Sequence, residues 1–569
     1  MKASDYIATF LAEQGVRTVY EMAGGMITHL LDSLHRLGDI EIVSVHHEQA
    51  AAFAAEAGAR MTGVPGVAMA TSGPGATNLL TAIGSCFFDS VPVVFITGQV
   101  NTHELRGDSG VRQAGFQETD IIAVASPLTK AAWQVMSAED VPGMLAVAFR
   151  LALEGRPGPV LLDIPMDVQR QQVDAPSRAV GTPVRKVPEG IDAILDEIAR
   201  AERPLVLAGG GVRSAGAATS VRELTEILSI PVVNSLMGVD VLPYDHSLRV
   251  GLIGTYGNRW ANLALRDADC VVVLGARLDV RQTGADTESF SAKKTLVRVD
   301  IDPAQLLWRI PSKLVVRADI GAFAWTALER ARERVWPDWS GWCETIEAYR
   351  YEWPDEGELA GITGINPAKF MHALSARGGA ASAYVVDVGQ NQMWAAQSLR
   401  LCDGQRFLTS GGMGAMGFAL PAAIGAALAA PGKPVVAITG DGGAQVNIQE
   451  LETIARLGLP VKIVVLNNEC LGMVRQFQDE LFESRYQSTL WGYGAPDFVS
   501  ISGAYGIRAR AVETPVEVDD ALDWLMSEPA EPGLLEVKLN TSTCVRPKVS
   551  FGNPVYVMDP PPGDSTDND

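Results

Sequence analysis

Short apolar runs recur along the chain, and each is followed by turn residues and then by a stretch of helical length. Clear examples are residues 159–165 (PVLLDIP), 434–439 (PVVAIT) and 461–466 (VKIVVL). A short, uninterrupted apolar run between turn residues indicates a strand that is buried on both faces. Strands that alternate with helices form parallel sheets, so the pattern predicts an α/β protein.

The alternation of strands and helices divides the chain into three blocks and a tail. The predicted boundaries are residues 1–172, 189–340, 362–546 and 547–569. Residues 173–188 are rich in proline and charge, which is typical of a linker, and residues 335–361 form a second connection. Each block is predicted to be a doubly wound parallel-sheet domain, and the end of the tail (560–569, PPPGDSTDND) is predicted to be disordered.

Composition and charge narrow the possible partners. With 569 residues the chain is too long for a single hydrophobic core, and its net charge of −21 argues against nucleic acid or an anionic membrane. The apolar runs are shorter than the roughly 20 residues of a membrane-spanning helix, and the amphipathic N-terminus does not resemble a signal peptide. Scattered cysteines without CxxC spacing predict reduced thiols and a cytoplasmic protein. They are Cys86, Cys270, Cys343, Cys402, Cys470 and Cys544.

The third block carries the most informative residues of the chain. Gly440, Asp441 and Gly442 follow one apolar run, and Asn468 follows the next. In a strand–helix–strand unit both turns lie at the carboxyl ends of parallel strands, where open α/β sheets bind ligands. A carboxylate and an amide oxygen suit Mg2+ that holds a diphosphate. The glycines, including Gly443, let the backbone approach phosphate groups closely.

These motifs resemble the fingerprint of thiamine-diphosphate (ThDP) enzymes, in which GDG is followed by two asparagines. The resemblance implies that Asp441, Asn468 and the main-chain carbonyl of Cys470 bind Mg2+. In the first block Glu48 stands where an apolar run meets a helix (HHEQAAAFAAEAGAR), a position where a carboxylate can also cap the helix. In the family, a glutamic acid at this turn hydrogen-bonds the aminopyrimidine of ThDP and promotes its ionisation. The resemblance also implies a dimer in which Glu48 approaches cofactor held by the other subunit's third domain.

The chain resembles the catalytic subunit of acetolactate synthase (acetohydroxyacid synthase) over essentially its whole length. The runs that carry this resemblance include FITGQV (95–100), GFQETDI (115–121), GARLDVRQTG (275–284), LTSGGMGAMGFALPAAIGAA (408–427) and LNNECLGMVRQFQ (466–478). The resemblance implies that Met416 lies beneath the cofactor and holds it bent, which brings its two reacting atoms together. Other residues that match positions at the cofactor or the active-site mouth are Gly73, Phe116, Gln117, Gly389, Gln390 and Asn391.

The same resemblance implies an acceptor pocket and a flavin site. Arg281 matches the arginine that receives the carboxylate of the second 2-oxo acid, which a guanidinium binds bidentately. Met473 and Phe477 match positions that shape this pocket beside the cofactor. The second block resembles the family's FAD-binding domain, in which the flavin has no redox role. Its contact residues would be Gly209, Gly210, Gly211, Leu236, Met237, Arg277, Asp300, Asp302 and Asp319.

The chain departs from the family pattern around the flavin and the acceptor. The usual GMHG reads GTYG at 254–257, FDDR reads LDVR at 278–281, and GQHQ reads GQNQ at 389–392. The tryptophan expected in the acceptor pocket is Phe477. These changes leave the ThDP motifs intact and leave the identity of the acceptor open.

The resemblance implies an enzyme that decarboxylates pyruvate and transfers the hydroxyethyl unit, an acetyl equivalent, to a second 2-oxo acid. A yersiniose-type branched-sugar carboligase would use the same donor with a ketone or keto sugar, and a pyruvate oxidase would use FAD as an oxidant. A non-catalytic regulatory or binding subunit would have no chemical reason to keep Glu48, Asp441 and Asn468. The family also implies a homodimer or homotetramer, and it leaves open a small regulatory subunit, which the sequence does not reveal.

Overall fold

The computed structural model describes residues 1–174 and 187–561, and its first domain contains a six-stranded parallel sheet. The strands are β1 (Thr18–Met22), β2 (Glu41–Ser44), β3 (Gly66–Ala70), β4 (Val93–Gln99), β5 (Ala131–Gln134) and β6 (Val160–Pro165). The helices around it are Ala3–Glu13, Thr28–Leu37, Glu48–Thr62, Pro74–Asn78, Leu80–Asp89, Ile121–Ala125, Val141–Leu153 and Met166–Arg170. The strand order is β2-β1-β3-β4-β6-β5.

The central domain contains a second parallel sheet of six strands. They are β7 (Pro204–Ala208), β8 (Val232–Asn234), β9 (Arg249–Leu252), β10 (Cys270–Leu274), β11 (Thr295–Asp300) and β12 (Leu314–Arg317). The helices are Ile191–Arg200, Gly210–Ser214, Ala218–Leu228, Arg259–Asp267, Val280–Thr283, Thr287–Ser291, Pro303–Leu307, Ile320–Ala331 and Ser340–Glu352. The order β9-β8-β7-β10-β11-β12 reverses direction between β7 and β10, the arrangement that binds dinucleotides at the point of reversal.

The third domain repeats the strand order of the first. Its strands are β13 (Ala383–Val386), β14 (Arg406–Leu408), β15 (Val435–Gly440), β16 (Val461–Asn467), β17 (Arg508–Val512) and β18 (Gly533–Lys538). Its helices are Pro367–Arg377, Gln390–Ser398, Ala419–Ala429, Asp441–Val446, Glu450–Arg456, Gly472–Leu481, Phe498–Ala504 and Val518–Met526. The order β14-β13-β15-β16-β18-β17 matches that of β1 to β6, and the three parallel sheets confirm the predicted α/β class.

The first and third domains share one apolar core within a single chain. Helix Glu48–Thr62 packs on helix Ala419–Ala429 so closely that a Cβ at Gly425 would collide with the carbonyl oxygen of Ala54. Phe53 and Phe418 meet edge to face beside this crossing, with ring centroids 5.3 Å apart. The alanine-rich helices of the sequence are therefore the surfaces on which the two domains join.

The first part of the C-terminal tail packs on the central domain. β19 (Lys548–Val549) pairs antiparallel with β20 (Met558–Asp559), and the backbone N–H of Val549 donates to Thr255 O at 2.8 Å. Residues 562–569, the end that we predict to be disordered, lie outside the described residues, as does most of the predicted linker. Among the described residues, no helix is long and apolar enough to cross a membrane. The exact domain boundaries stay predictions.

Candidate active site

The register of β15 and β16 brings the two predicted motifs to the same edge of the third sheet. Gly440 pairs with Leu466 across the two strands, so Asp441 and Asn468 lie just beyond the two strand ends. Asp441 is the first residue of its helix, it is buried, and its Oδ2 accepts a hydrogen bond from the Tyr493 hydroxyl at 2.9 Å. Burial raises the pKa of Asp441 to about 6, although the hydrogen bond from Tyr493 opposes this shift.

A third turn, the one after β13, joins this edge through Gln390. Asn468 donates from Nδ2 to Gln390 Oε1 at 2.8 Å, and Gln390 Nε2 donates to Thr543 O at 2.9 Å. Gly472 is packed so tightly against Gln390 that any Cβ would collide with that side-chain oxygen. The predicted residues Gln390 and Asn468 are therefore held against one another, and Gly389 and Asn391 flank Gln390 at the start of helix Gln390–Ser398.

The glycines after Asp441 pack so closely against neighbouring side chains that a larger residue would collide with them. A Cβ at Gly442 would lie 2.6 Å from Leu471 Cδ2 and 3.2 Å from Met416 Cε, and a Cβ at Gly443 would lie 2.6 Å from Asp387 Oδ1. Met416 therefore lies against the GDG turn, and its place beneath the cofactor stays a prediction. Tight glycine turns, a buried carboxylate and an amide at a helix N-terminus fit a diphosphate and Mg2+.

Cys470, whose main-chain carbonyl is the third predicted metal ligand, follows a strained turn. Glu469 takes a left-handed φ of 56°, and its N–H donates to Asn467 Oδ1 at 2.9 Å. A residue with a side chain adopts this conformation only where its surroundings hold it, and such turns cluster at binding sites. The Cys470 side chain itself is buried.

Glu48 begins helix Glu48–Thr62 but does not cap it. His47 is the capping residue, because its Nδ1 accepts a hydrogen bond from the N–H of Gln49 at 3.1 Å. Glu48 is buried, and its Oε2 accepts from Asn78 Nδ2 at 2.9 Å. A Cβ at Gly75 would approach Glu48 Oε1 to 3.1 Å. The turn at residues 72–75 (SGPG) therefore lies beside this carboxyl group.

The residues predicted at the mouth of the site lie on exposed or strained backbone in the first domain. Gln117 takes a φ of 65°, and a Cβ at Gly73 would lie 3.0 Å from its Cβ, so the two residues meet. The ring of the neighbouring Phe116 is 79% exposed. Glu118 supports this turn by accepting N–H bonds from Arg106 at 2.7 Å and Ala114 at 2.8 Å. The exposed ring is available to a substrate or a second subunit.

Arg281, Met473 and Phe477, which we predict at the acceptor, line one cavity of about 730 Å³. Asp279 caps the short helix that carries Arg281, accepting its backbone N–H at 3.0 Å. Other residues that line the cavity were not predicted from the sequence. Its remaining lining residues are Tyr256, Val474, Gln478, Phe482, Arg485, Gln487 and Trp491.

A second cavity of about 1820 Å³ lies at the carboxyl ends of the central strands and reaches the first domain. A Cβ at Gly211 would lie 2.7 Å from Gly275 Cα, so the turns after β7 and β10 approach each other closely at the point of reversal. The predicted flavin residues in its lining are Gly210, Gly211, Leu236, Met237, Arg277, Asp300 and Asp319. Of the other two, Gly209 packs against Gly275, and Asp302 pairs with Arg156 at 3.1 Å. The size and the reversal point fit a dinucleotide.

Two groups at the site were not predicted, the buried Asp387 and the partly buried Tyr493. Asp387, at the end of β13, accepts backbone N–H groups from Gly417 at 2.9 Å and Ala419 at 2.8 Å, and burial raises its pKa to about 6. Its place before Gly389 (VVDVG) is a strand-end signal that sequence reasoning could have used. Tyr493 lies 52 residues beyond Asp441, in a region without regular pattern, and no sequence signal marks it.

Models of known families match all three domains. They are the thiamine pyrophosphate enzyme N-terminal TPP binding domain at residues 1–124, the central domain at 191–327, and the C-terminal TPP binding domain at 387–537. The first match includes Glu48, the second includes the strands beside the large central cavity, and the third includes the sheet edge at Asp441.

Several curated relatives are similar over most of their length. The acetolactate synthase isozyme 2 large subunit of Escherichia coli (strain K12) is 36% identical over 557 residues, 97% of this chain and 98% of that protein. The acetolactate synthase large subunit of Parasynechococcus marenigrum (strain WH8102) is 39% identical over 87% of this chain and 81% of its own. That of Lactococcus lactis subsp. lactis (strain IL1403) is 34% identical over 96% of this chain and 94% of its own. The chain therefore belongs to the thiamine pyrophosphate enzymes and, among them, to the acetolactate synthase large-subunit family.

Proposed function

We propose that this chain is a ThDP- and Mg2+-dependent carboligase that decarboxylates pyruvate and joins the remaining two-carbon unit to a second pyruvate, giving 2-acetolactate. The observation that carries the proposal is the convergence of three turns at one sheet edge: Asp441 and Asn468 follow paired strands, Asn468 donates to Gln390, and Met416 lies against Gly442. It occurs in a chain that is 36% identical over 557 residues to an acetolactate synthase large subunit.

The third domain supplies the residues that would hold the cofactor. When bound, ThDP supplies a carbon nucleophile for the carbonyl of pyruvate and a ring that takes up electrons as carbon dioxide leaves. Asp441, Asn468 and the carbonyl of Cys470 would bind Mg2+ through hard oxygen atoms. The N-terminus of helix Gln390–Ser398 lies at the same edge, and the partial positive charge of a helix N-terminus favours a diphosphate.

Glu48 would govern the proton on the aminopyrimidine ring. Asn78 holds one of its carboxyl oxygens at 2.9 Å, and the other would bind the ring nitrogen of cofactor held by a second subunit. A fixed carboxyl group spends no time in unproductive rotamers, which favours proton transfer at one ring atom. This role requires at least a homodimer, and the 79% exposure of the Phe116 ring in a single chain supports such an interface.

Arg281 would receive the carboxylate of the acceptor. It lines the same cavity as Met473 and Phe477, which would enclose the acceptor's side chain. A guanidinium fixes both the position and the orientation of a carboxylate, so the acceptor carbonyl would be presented in one direction.

The central cavity would bind FAD as a structural group without a redox role in the carboligation. A homodimer or homotetramer, with or without a small regulatory subunit, is the assembly that the family resemblance favours. We also propose a cytoplasmic location, which is supported by the free thiol form of all six cysteines, each within the described residues.

A branched-sugar carboligase is a second candidate, and the width of the acceptor cavity favours it. About 730 Å³ bounded by the rings of Tyr256, Phe477 and Trp491 would admit a substrate larger than pyruvate. Aromatic rings also pack well against the apolar faces of sugars. Such an acceptor has no carboxylate for Arg281.

Product analysis tests the proposal directly. Purified protein with Mg2+, ThDP and FAD would be given pyruvate alone, and then pyruvate with a simple ketone or a keto sugar. We expect rapid formation of acetolactate from pyruvate alone. Slow self-condensation together with efficient formation of a tertiary alcohol from the ketone would replace the synthase assignment with the sugar-branching one.

A further inference from the structure

The loop that carries Met416 is held at both ends by buried carboxylates. At its far end Asp387 accepts the N–H groups of Gly417 and Ala419 within the third domain. At its near end Asp89, from the first domain, accepts the N–H of Gly411 at 2.8 Å and that of Gly412 at 2.7 Å. The position of Met416 therefore depends on a residue 322 positions before the start of the loop.

Asp89 is fixed in turn by a buried arginine. Its side chain is 2% exposed, and its Oδ2 lies 3.0 Å from Arg60 Nη2. Arg60 also pairs with Glu56 and donates to Thr409 O at 2.8 Å, two residues before Gly411. Charge-assisted hydrogen bonds in a buried site are strong and directional, so Asp89 has one position available.

The central domain touches the same junction from the side of the large cavity. A Cβ at Gly411 would lie 3.0 Å from Met237 Cγ, and Met237 lines the cavity. Arg406 donates to Asp240 Oδ2 at 2.9 Å and to Arg60 O at 2.6 Å, and Asp240 is also in the cavity wall. One wall of the cavity is thus built on the residues that position the Met416 loop.

We propose that Asp89 is a positioning residue for Met416, and that the junction of Asp89, Gly411 and Met237 couples FAD binding in the central cavity to ThDP binding in the third domain. The inference rests on the proposed function, which assigns FAD to the cavity and ThDP to the loop. Methionine is flexible, so a ligand that fills the cavity would order Met237 against Gly411. ThDP would then bind to a loop that is already ordered, and less of its binding free energy would be lost to ordering.

The coupling is measured on full-length protein freed of both cofactors. ThDP is titrated at saturating Mg2+ with and without FAD, and binding is followed by calorimetry. We expect FAD to tighten ThDP binding by about fivefold or more, and ThDP to tighten FAD binding by the same factor, because coupling is reciprocal. Tight binding of each cofactor with no change in either dissociation constant would overturn the coupling and leave the proposed function intact. Failure of ThDP to bind would overturn both, whereas failure of FAD alone to bind would overturn the coupling and the flavin assignment but not the carboligase.

Two variants locate the coupling, and one serves as control. Met237→Ala and Asp89→Asn should each reduce the factor by which FAD tightens ThDP binding toward one. Asp89→Asn should also change the near-ultraviolet circular dichroism of bound ThDP. Asp163→Asn removes another buried carboxylate of the first domain, one bound by Thr97 and Gln99. It should lower stability without changing the factor. If Asp89→Asn does not fold, Met237→Ala alone tests the proposal. If FAD tightens ThDP binding in Met237→Ala as much as in the unchanged protein, the junction does not carry the coupling.

Discussion

Tyr493 donates its phenolic hydrogen to Oδ2 of Asp441, with the two oxygens 2.9 Å apart. The hydroxyl also lies beside the GDG turn, since a Cβ at Gly442 would be 3.3 Å from it. Tyr493 comes from the irregular segment between helices Gly472–Leu481 and Phe498–Ala504. Hydrogen bonds to a ligating carboxylate orient it toward the metal and tune its affinity.

Replacing this tyrosine should weaken the metal site without removing a ligand. In Tyr493→Phe we expect the Mg2+ concentration for half-maximal ThDP binding to rise about 10–100-fold. The measurement is ThDP binding across a Mg2+ series. Tyr351→Phe, which changes a ring that is 91% exposed, is the matched control and should leave the series unchanged. An unaltered Mg2+ dependence in Tyr493→Phe would show that Asp441 needs no such support.

Asp441→Ala should abolish the Mg2+-dependent retention of ThDP, because it removes the only charged protein side chain proposed as a ligand of the metal. Retention is measured after gel filtration in the presence of Mg2+. Asp497→Ala in the same domain removes a carboxylate that caps helix Phe498–Ala504. This control should cost about 1 kcal/mol of stability and leave retention unchanged. An Asp441→Ala protein that still holds ThDP tightly would refute the ligand assignment.

Glu48→Gln should preserve the fold and the binding of cofactors but lower turnover by about 10²–10⁴-fold. The amide can keep a hydrogen bond to Asn78, yet it has no carboxyl proton to share with the aminopyrimidine. Steady-state rates are compared at equal cofactor occupancy, with Glu41→Gln, an exposed residue of β2, as the control. Near-normal turnover of Glu48→Gln would remove the role assigned to this residue.

Local sequence patterns predicted those site residues whose positions follow from the strand that they end. Asp441 and Asn468 each follow a buried strand, so the strand pattern alone brings them to one edge. Tyr493 and Asp89 reach the site through contacts with residues distant in sequence, and such contacts have no local pattern. The capping role considered for Glu48 is taken by His47, and only side-chain geometry separates these neighbours.

The order of the strands within each sheet could not be predicted from the sequence either. The pattern of apolar runs predicts that strands exist and that they are parallel, but not which of them are neighbours. The first and third sheets share one strand order, and their two domains join at the helix crossing where Gly425 lies against Ala54.

That crossing gives a stability prediction. Gly425→Ala should lower the free energy of unfolding by about 1–3 kcal/mol, because the added methyl group would collide with backbone that cannot easily move. Gly341→Ala is the matched control, since it lies in helix Ser340–Glu352 with no atom within 4 Å of the new Cβ. It should be neutral or stabilise the protein by up to about 1 kcal/mol. Denaturant unfolding measures the free energy of unfolding of both variants. Equal changes in the two would mean that the two helices can move apart at Gly425 without loss of stability.

Arg281→Ala separates the two candidate acceptors. If the acceptor is a 2-oxo acid, loss of the guanidinium removes its only proposed anchor, and acetolactate formation should fall about 10²-fold or more, while the first carbon dioxide released per active site in a single turnover should appear at the normal rate. If the acceptor is a ketone or a keto sugar, the same change should be mild, because no carboxylate is lost from its partner. Arg485→Ala is the control, since Arg485 lines the same cavity but is paired with Glu483 at 2.7 Å. Release of carbon dioxide and formation of product are measured in the same reactions, with pyruvate alone and with an added ketone. An equal fall in the first-turnover release of carbon dioxide would place Arg281 at the donor step and contradict its assignment to the acceptor.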